Sequence, residues 1–276
     1  MIVVIGGNGK TGRRVAGRLT GRGEQVRVVS RSTSPRFDWD DASTWEAALA
    51  GAGAAYVTYH PDLAFPGVPE FNARFSATAR AAGLRKAVLL SGRGEEGALA
   101  SERALQESGL AWTVVRCNWF DQNFSESFFL GPVSSGVLSI PAGEAREPFV
   151  DADDIADVAT AALLDPRHDG EVYELSGPRL LTFTEVAREL SAATDREIRY
   201  EPVSHEEYVA ELQREGLPAD FADLFATILD GRNASVTDGV QRALGRPPRD
   251  FSDYAARTAA TGVWTSSRLP AAPSLR

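Results

Sequence analysis

The glycines near the start of the chain have the spacing of a turn that can bind phosphate. Gly6, Gly9 and Gly12 form a G-x-x-G-x-x-G pattern directly after a short apolar segment. Such a turn lets the backbone approach a pyrophosphate with no Cβ in the way, and a helix that begins there directs free N–H groups and its positive dipole end at the phosphates. The pattern predicts a dinucleotide site, with a purely structural turn as the alternative. The side chains between the glycines are further candidate cofactor contacts: Asn8, Lys10 and Thr11.

The end of the second predicted strand indicates which dinucleotide binds. Enzymes that prefer NAD usually carry an acid there, about 20 residues after the glycines, which bonds the ribose 2′-hydroxyl. In this chain Arg31 and Ser32 occupy that place. A guanidinium forms paired charge-assisted hydrogen bonds to phosphate oxygens. We therefore expect NADP(H) as the cofactor, and a solvated loop arginine is the alternative interpretation of Arg31.

Further polar and aromatic side chains follow predicted strands at their carboxyl ends. In open parallel sheets this edge is where ligands bind. Asp38 and Trp39 are candidates for the adenine edge, by hydrogen bonding and stacking, and an ordinary strand-end turn is the equal alternative. Ser91 is a candidate to polarise a substrate or to bind the nicotinamide amide. The remaining candidate cofactor contacts follow the third predicted strand: Thr58, Tyr59 and His60.

Tyr59 and Ser91 are the candidate catalytic residues, but the usual proton-donating pair is missing. Short-chain dehydrogenases generally use a tyrosine with a lysine four residues later, which lowers the tyrosine pKa. None of the 6 tyrosines here has that lysine, and the lysines are Lys10 and Lys86, the latter at the start of a strand on the opposite edge of the sheet. An isolated tyrosine keeps a pKa of about 10 and is a weak acid at neutral pH. Catalysis should therefore depend on positioning.

Other catalytic classes find no support in the sequence. The 3 histidines, His60, His168 and His205, are scattered, and no G-x-S-x-G nucleophile motif is present. Cys117 is the single cysteine and ends an apolar run, so we expect an inert thiol and no internal disulfide. No Cys and His spacing predicts a metal site. We expect neither hydrolase nor metal chemistry.

An aromatic and amide-rich segment follows the fifth predicted strand, again at the ligand edge. We expect it to hold a medium-sized, partly aromatic small-molecule substrate, with the amides orienting that substrate. Burial in the core is the alternative for each aromatic ring. The candidate substrate-binding residues are Asn118, Trp119, Phe120, Asn123 and Phe124.

The elements that must position these residues alternate between strand-like and helix-like through the first half of the chain. This rhythm predicts an α/β fold with a Rossmann-type parallel sheet, helices on both faces and a smaller, mainly helical C-terminal lobe. Strands are predicted near 2–6, 25–30, 54–59, 86–91, 111–116, 171–175 and 197–201. Helices are predicted near 11–22, 42–50, 67–82, 95–108, 153–164, 183–193, 205–215, 219–230 and 250–261.

These elements suggest a division of the chain into domains. We expect a dinucleotide-binding domain over residues 1–130 and a substrate lobe over 131–265, with 148–176 returning to the main sheet. Residues 266–276 show no periodicity and are expected to form a disordered tail.

Composition limits the partners and the location of the protein. The net charge is −9, hydrophobic residues make up 43% and charged residues 24%, as in ordinary globular domains. No basic stripe is available for nucleic acid or an anionic membrane. No apolar stretch approaches the roughly 18 to 20 residues that cross a bilayer, and we expect the apolar segment after Met1 to form a strand rather than a signal peptide. We expect a soluble, cytoplasmic monomer or homodimer that acts on a small molecule.

Together these motifs resemble those of the NmrA-like branch of the atypical short-chain dehydrogenases, over nearly the whole chain to about Trp264. Besides the glycine turn, Arg31 and Asp38, the matching segments are Leu90-Ser91-Gly92, Glu102-x-x-Leu105-x-x-Ser108-Gly109-Leu110, Thr113-Val114-Val115-Arg116 and Phe149-Val150-Asp151-x-x-Asp154-Ile155-Ala156. Two segments resemble the ergot-alkaloid-type reductases, such as festuclavine and agroclavine synthases: Ser91-Gly92-Arg93-Gly94-Glu95-Glu96 and Trp119-Phe120-x-Gln122-Asn123-Phe124.

This resemblance implies transfer of hydride from NADPH to an iminium carbon, by enzymes that also lack the tyrosine and lysine pair. The chemistry agrees, because an iminium already carries its positive charge and needs only a positioned hydride. A reduced ketone, in contrast, develops an alkoxide that needs a proton. The family also contains redox sensors that bind a dinucleotide and regulate a partner without turnover. The sequence favours a reductase, with a non-catalytic NADP(H) sensor as the alternative.

Overall fold

The computed structural model of the chain describes residues 1–60, 62–65, 67–214 and 220–265. Within that part the strands are β1 (Ile2–Ile5), β2 (Val26–Val29), β3 (Ala54–Val57), β4 (Lys86–Gly92), β5 (Ala111–Cys117), β6 (Val137–Ile140), β7 (Arg146–Glu147), β8 (Glu171–Leu175), β9 (Leu181–Thr182) and β10 (Arg199–Pro202). The helices are α1 (Gly12–Gly21), α2 (Trp45–Leu49), α3 (Val68–Ala81), α4 (Glu96–Gln106), α5 (Asn123–Glu126), α6 (Leu130–Ser135), α7 (Ala152–Leu164), α8 (Phe183–Thr194), α9 (His205–Arg214), α10 (Asp220–Ile228), α11 (Gly239–Leu244) and α12 (Phe251–Ala259). The tail predicted at 266–276 lies outside the described residues.

The chain folds into two compact units. Unit 1 comprises the described residues of Met1–Cys117, Ala152–Leu175 and Asp238–Pro247. Unit 2 comprises the described residues of Asn118–Asp151, Ser176–Thr237 and Pro248–Arg276. The first segment of unit 1 thus ends with β5 rather than near residue 130, and unit 1 takes in α7 and β8, which lie inside the segment 148–176.

A six-stranded parallel sheet forms the centre of unit 1. Its strand order is β2-β1-β3-β4-β5-β8, and every neighbouring pair is parallel. The predicted α/β class with a Rossmann-type sheet is confirmed, and the strands lie where the sequence places them, with small differences at their ends. Because the chain passes from β1 to β2 and then back across β1 to β3, the order reverses beside β1. In open α/β sheets ligands bind at the carboxyl ends of the strands next to such a reversal.

Helices cover both faces of this sheet, which explains why its strands are apolar on both sides. On one face α7 packs on β3, β4 and β5, and α1 packs against α7. On the other face Val3 and Leu89 share a core with Trp45 of α2, Phe75 of α3 and Leu105 of α4. The sheet is therefore held rigidly, and its carboxyl edge is the place where polar loops meet.

Unit 2 has its own core and two small sheets. β6 pairs with β10 in parallel, and β7 pairs with β9 in antiparallel fashion. The mainly helical pattern predicted here is observed in α8, α9, α10 and α12, and α8 begins with a capping box formed by Thr182 and Glu185. The sequence did not predict β6, β7, β9, α5 or α6 of this unit, nor α11, which belongs to unit 1. These elements have two to six residues each, which is too short for a periodic pattern.

The lengths and hydropathy of the helices in the described residues bear on membrane insertion. None of the helices that the structure describes combines the length and the apolar character that a membrane span requires.

Candidate functional site

The glycine turn lies between β1 and α1 and is closed by its own backbone. Gly6 has a φ of +70°, which favours glycine, and the Gly9 N–H donates to the Gly6 carbonyl oxygen at 2.8 Å. A Cβ on Gly6 would lie 2.3 Å from Thr58 Oγ1, and a Cβ on Gly12 would lie 2.3 Å from the Gly6 oxygen. Gly6 and Gly12 are therefore required by the turn itself.

Gly9 differs from the other two glycines. It is exposed, and a Cβ built on it would meet only the Gly6 oxygen, at 3.1 Å. The fold alone does not demand a glycine at this position. The bare backbone instead leaves an open surface beside the first turn of α1, which contains no acidic residue to repel an anion. This cradle fits the pyrophosphate of a dinucleotide, with Lys10 and Thr11 beside it.

The loop after β2 is tied to this turn by hydroxyl and amide groups. Asn8 Nδ2 donates to Ser30 Oγ at 3.3 Å, and the Ser30 and Ser32 hydroxyl oxygens lie 3.1 Å apart. Thr33 Oγ1 accepts from the Ser30 N–H at 2.8 Å, which fixes the start of the loop. Arg31 and Ser32 are exposed on it. The structure therefore brings the predicted residues Asn8, Arg31 and Ser32 together, and the hydroxyl of Ser30 links Asn8 to Ser32.

His60, which follows β3, lies in the field of the same cationic groups. Burial lowers the pKa of His60 from 6.5, and the charges of Arg31 and Lys10 lower it further. Three candidates from three different loops thus meet at one edge of unit 1. A phosphate bound among them would relieve the mutual repulsion of these groups.

Asp38 and Trp39 have firm partners within unit 1. The Asp38 carboxylate pairs with Arg36 and accepts from the Asp40 N–H at 3.2 Å. The Trp39 indole N–H donates to the Thr58 carbonyl oxygen at 3.0 Å, and its ring is only 9% exposed. The Thr58 hydroxyl in turn donates to Ile5 O at 3.1 Å, which ties β3 to β1. Contact of Asp38 and Trp39 with adenine stays a prediction.

The Trp39 ring belongs to an aromatic cluster with Phe37, Trp45 and Phe75, and it lies 5.1 Å from the Tyr59 ring. This packing gives Trp39 a structural role whatever it binds. Burial raises the pKa of Tyr59, and the nearby Asp40 charge raises it further. Tyr59 is therefore an even weaker acid than a free tyrosine.

Ser91 belongs to a buried polar network that the sequence analysis did not identify as functional. Ser91, Arg116 and Glu174 are neighbours in register on β4, β5 and β8. The Ser91 hydroxyl donates to Glu102 Oε1 at 2.6 Å, and Arg116 donates to the same oxygen from Nε at 2.9 Å. Arg116 also donates to Glu102 Oε2 at 2.5 Å and to Glu174 Oε1 at 2.6 Å. Glu102, on α4, is 2% exposed.

The remaining candidates for acid or nucleophilic chemistry are held elsewhere or deactivated. Lys86 begins β4, at the opposite end from Ser91, and its Nζ lies 2.5 Å from Asp169 Oδ1. Burial raises the pKa of the Cys117 thiol well above its usual value, which agrees with the expected inert thiol. Burial likewise raises the pKa of Tyr56, which is fully buried in β3.

The segment 118–124 opens unit 2, and its rings differ in exposure. Phe124 is fully buried and packs on Phe129 and Phe149, so it is part of the core. Trp119 is 8% exposed, and its indole N–H has no hydrogen-bond partner among the described residues. Phe120 and Asn123 are half-buried.

Asn118 is buried in the same segment, and its Nδ2 donates to Glu147 Oε2 at 3.2 Å. The side chains with accessible surface are thus those of Phe120 and Asn123. Substrate binding by this segment stays a prediction.

The chain was compared with known proteins. No protein-family model matches it. YesF, an uncharacterized oxidoreductase of Bacillus subtilis, is 33% identical over 96% of this chain and 98% of its own length. Agroclavine dehydrogenase of Claviceps fusiformis is 30% identical over 92% of this chain and 95% of its own length.

Among solved structures, the complex of Citrobacter sp. triphenylmethane reductase with NADP(H) has the same fold, with a TM-score of 0.78 at 21% identity over 94% of this chain and 99% of that one. The matches cover nearly the whole length of the relatives YesF and agroclavine dehydrogenase. Their names, an oxidoreductase and a dehydrogenase, agree with the dehydrogenase motifs found in the sequence. The chain belongs to the NmrA-like branch of the atypical short-chain dehydrogenases, and its relatives include named oxidoreductases and dehydrogenases.

Proposed function

We propose that this chain is an NADPH-dependent reductase that acts on an iminium or another activated C=N, C=C or C=O bond of a medium-sized, partly aromatic molecule. The observation that carries the proposal is the open backbone at Gly9 beside a loop that presents Arg31 and Ser32. A coenzyme bound there would supply the hydride. The residues of the chain would bind that coenzyme, orient it and position the substrate.

The preference for NADPH follows from charge at the end of β2. Arg31 is exposed on the loop that Asn8 and Ser30 tie to the glycine turn. Together with Lys10 it would compensate the 2′-phosphate and pyrophosphate charges. The bound NADP(H) in triphenylmethane reductase, whose fold this chain shares, is consistent with this assignment.

The nature of the substrate follows from the weak acidity of Tyr59, the candidate proton donor. Tyr59 has a raised pKa, and no lysine follows it at the usual spacing. An iminium substrate needs no enzymatic proton, because hydride addition neutralises the charge that it already carries. Likeness to agroclavine dehydrogenase supports a substrate of this kind. We assign substrate recognition to the segment 118–124, chiefly to the accessible side chains of Phe120 and Asn123.

The test is a titration of NADPH and NADH onto the wild type, Arg31→Ala and the control Arg22→Ala, which removes an exposed arginine at the other end of α1. A charge-assisted contact contributes about 1.5–3 kcal/mol, so Arg31→Ala should bind NADPH about ten-fold or more weaker and NADH almost unchanged. The control should keep the wild-type preference.

Equal affinities of the wild type for the two coenzymes would refute the NADPH assignment. Turnover is measured as coenzyme oxidation with cyclic iminium compounds. Tight NADPH binding without oxidation by any activated double bond would refute the reductase assignment.

A further inference from the structure

The Ser91 network has a defined direction of hydrogen bonding. Glu102 is 2% exposed and accepts from Arg116 through both carboxylate oxygens. A guanidinium has donors only, so both Glu102 oxygens act as hydrogen-bond acceptors toward Arg116. The hydrogen bond of 2.6 Å between Ser91 and Glu102 must therefore use the single hydroxyl proton of Ser91.

The direction of the Ser91–Glu102 hydrogen bond determines what Ser91 can offer to a ligand. A serine hydroxyl has one donor and two acceptor lone pairs. Since the hydroxyl proton of Ser91 is donated to Glu102, Ser91 Oγ presents only its lone pairs to a ligand. Among the described residues, none donates a hydrogen bond to these lone pairs. It cannot polarise a substrate carbonyl, which would require donation. It can accept from an N–H group.

The position of Ser91 relative to the glycine turn indicates which N–H group it meets. The strand order places β2 on one side of β1 and β3 then β4 on the other. If the adenosine phosphate lies toward β2 and Arg31, the other half of the dinucleotide extends toward β3 and β4. Ser91 lies at the carboxyl end of β4, two strand spacings from β1, or about 10 Å. The ribose and nicotinamide together span such a distance.

We propose that Glu102 is a positioning residue that holds Ser91 Oγ as a hydrogen-bond acceptor, and that Ser91 in this state selects the carboxamide N–H of the nicotinamide ring. Arg116 orients Glu102 through hydrogen bonds to both carboxylate oxygens, and Glu174 accepts a further hydrogen bond from Arg116. The inference rests on the proposed function, because it assumes that the chain binds NADPH.

The test compares the affinities for NADPH and for its 3-acetylpyridine analogue, in which a methyl group replaces the carboxamide nitrogen while the carbonyl remains. The wild type should prefer NADPH by about three- to ten-fold, the effect of one net hydrogen bond. Ser91→Ala should lose this preference and Ser91→Thr should keep it. Glu96→Gln, an exposed acid on α4 that makes no contact with Ser91, is the control and should also keep it.

Glu102→Met tests the positioning role directly, because the serine itself is retained while its hydrogen-bond acceptor is removed. Without a carboxylate at position 102, the serine proton is released. The preference for the carboxamide should disappear, although Ser91 is still present. Thermal unfolding shows whether this variant is folded, and if it is not, the Ala and Thr variants at position 91 still decide the acceptor role.

A folded Glu102→Met variant with the wild-type preference would overturn the proposal. So would a Ser91→Ala variant that still prefers NADPH over the analogue. A wild type that binds NADPH and the 3-acetylpyridine analogue equally well refutes this inference alone. A wild type that binds neither of these two compounds refutes the proposed function.

Discussion

Alanine substitutions at Gly9 and Gly12 should separate coenzyme binding from folding. In Gly12→Ala the new Cβ would lie 2.3 Å from Gly6 O and 2.8 Å from Gly7 Cα. Both atoms are backbone, so the turn or α1 must move. Overpacking of this kind costs about 1–3 kcal/mol, and the better helix propensity of alanine offsets less than about 1 kcal/mol of it. At about 2–4 °C per kcal/mol for a chain of this size, we expect the Tm to fall by about 2–8 °C.

Gly9→Ala should have the opposite profile. Its Cβ would meet one atom, Gly6 O at 3.1 Å, and a shift of a few tenths of an ångström relieves the contact. We therefore expect the free energy of unfolding to change by no more than about 0.5 kcal/mol. The same Cβ would occupy the surface that we assign to the pyrophosphate. Loss of one hydrogen bond to a charged group weakens NADPH binding by about ten-fold or more.

The assay combines thermal unfolding of the coenzyme-free protein with calorimetric titration of NADPH. Gly17→Ala is the matched control, because Gly17 is exposed in the same helix and its Cβ would meet nothing within 4 Å. It should raise stability slightly and leave binding unchanged. Undiminished NADPH binding by Gly9→Ala would show that the open backbone at Gly9 does not serve the coenzyme. A loss of stability at Gly9 as large as at Gly12 would show that both glycines are structural.

Two further predictions concern titratable groups. The pKa of His60 is lowered from 6.5 in the folded chain, so the unfolded chain binds the proton more readily and stability should fall as the pH drops below about 6.5. His60→Gln should reduce this loss, and bound NADPH should reduce it in the wild type. A wild-type stability independent of pH in this range would contradict the lowered pKa of His60. Tyr59→Phe should keep activity within about ten-fold, since Tyr59 has a raised pKa; a thousand-fold loss, about 4 kcal/mol, would identify Tyr59 as the proton donor.

The fold and half of the candidate site could be predicted from the sequence because their signals are local. The parallel strands are short apolar runs bounded by turns. The spacing of Gly6, Gly9 and Gly12 is itself enough to indicate a glycine-rich turn. Arg31 could be selected because it follows a strand at a fixed distance from the glycines. In each case the residue type and the neighbouring sequence were sufficient.

Glu102 could not be selected in this way. It lies on the amphipathic helix α4, where an acid is usually solvated, and its burial depends on the register that brings Arg116 beside Ser91. The rings of the segment 118–124 pose the same problem. An aromatic residue after a strand belongs to the core or to a pocket according to its tertiary neighbours, and only the structure separates the buried Phe124 from the half-buried Phe120.

The way in which protons are held at the carboxyl edge of unit 1 limits the chemistry that the chain can support. Ser91 gives its proton to Glu102, and Tyr59 has a raised pKa. Asp62, in the loop after β3, is different, because burial raises the pKa of its carboxyl group. The shift favours the protonated form relative to a free aspartate. Reduction of a carbonyl develops a full negative charge, and neither Ser91 nor Tyr59 is suited to neutralise it by giving a proton. Addition of hydride to a cation develops no such charge, and this difference favours iminium substrates over ketones.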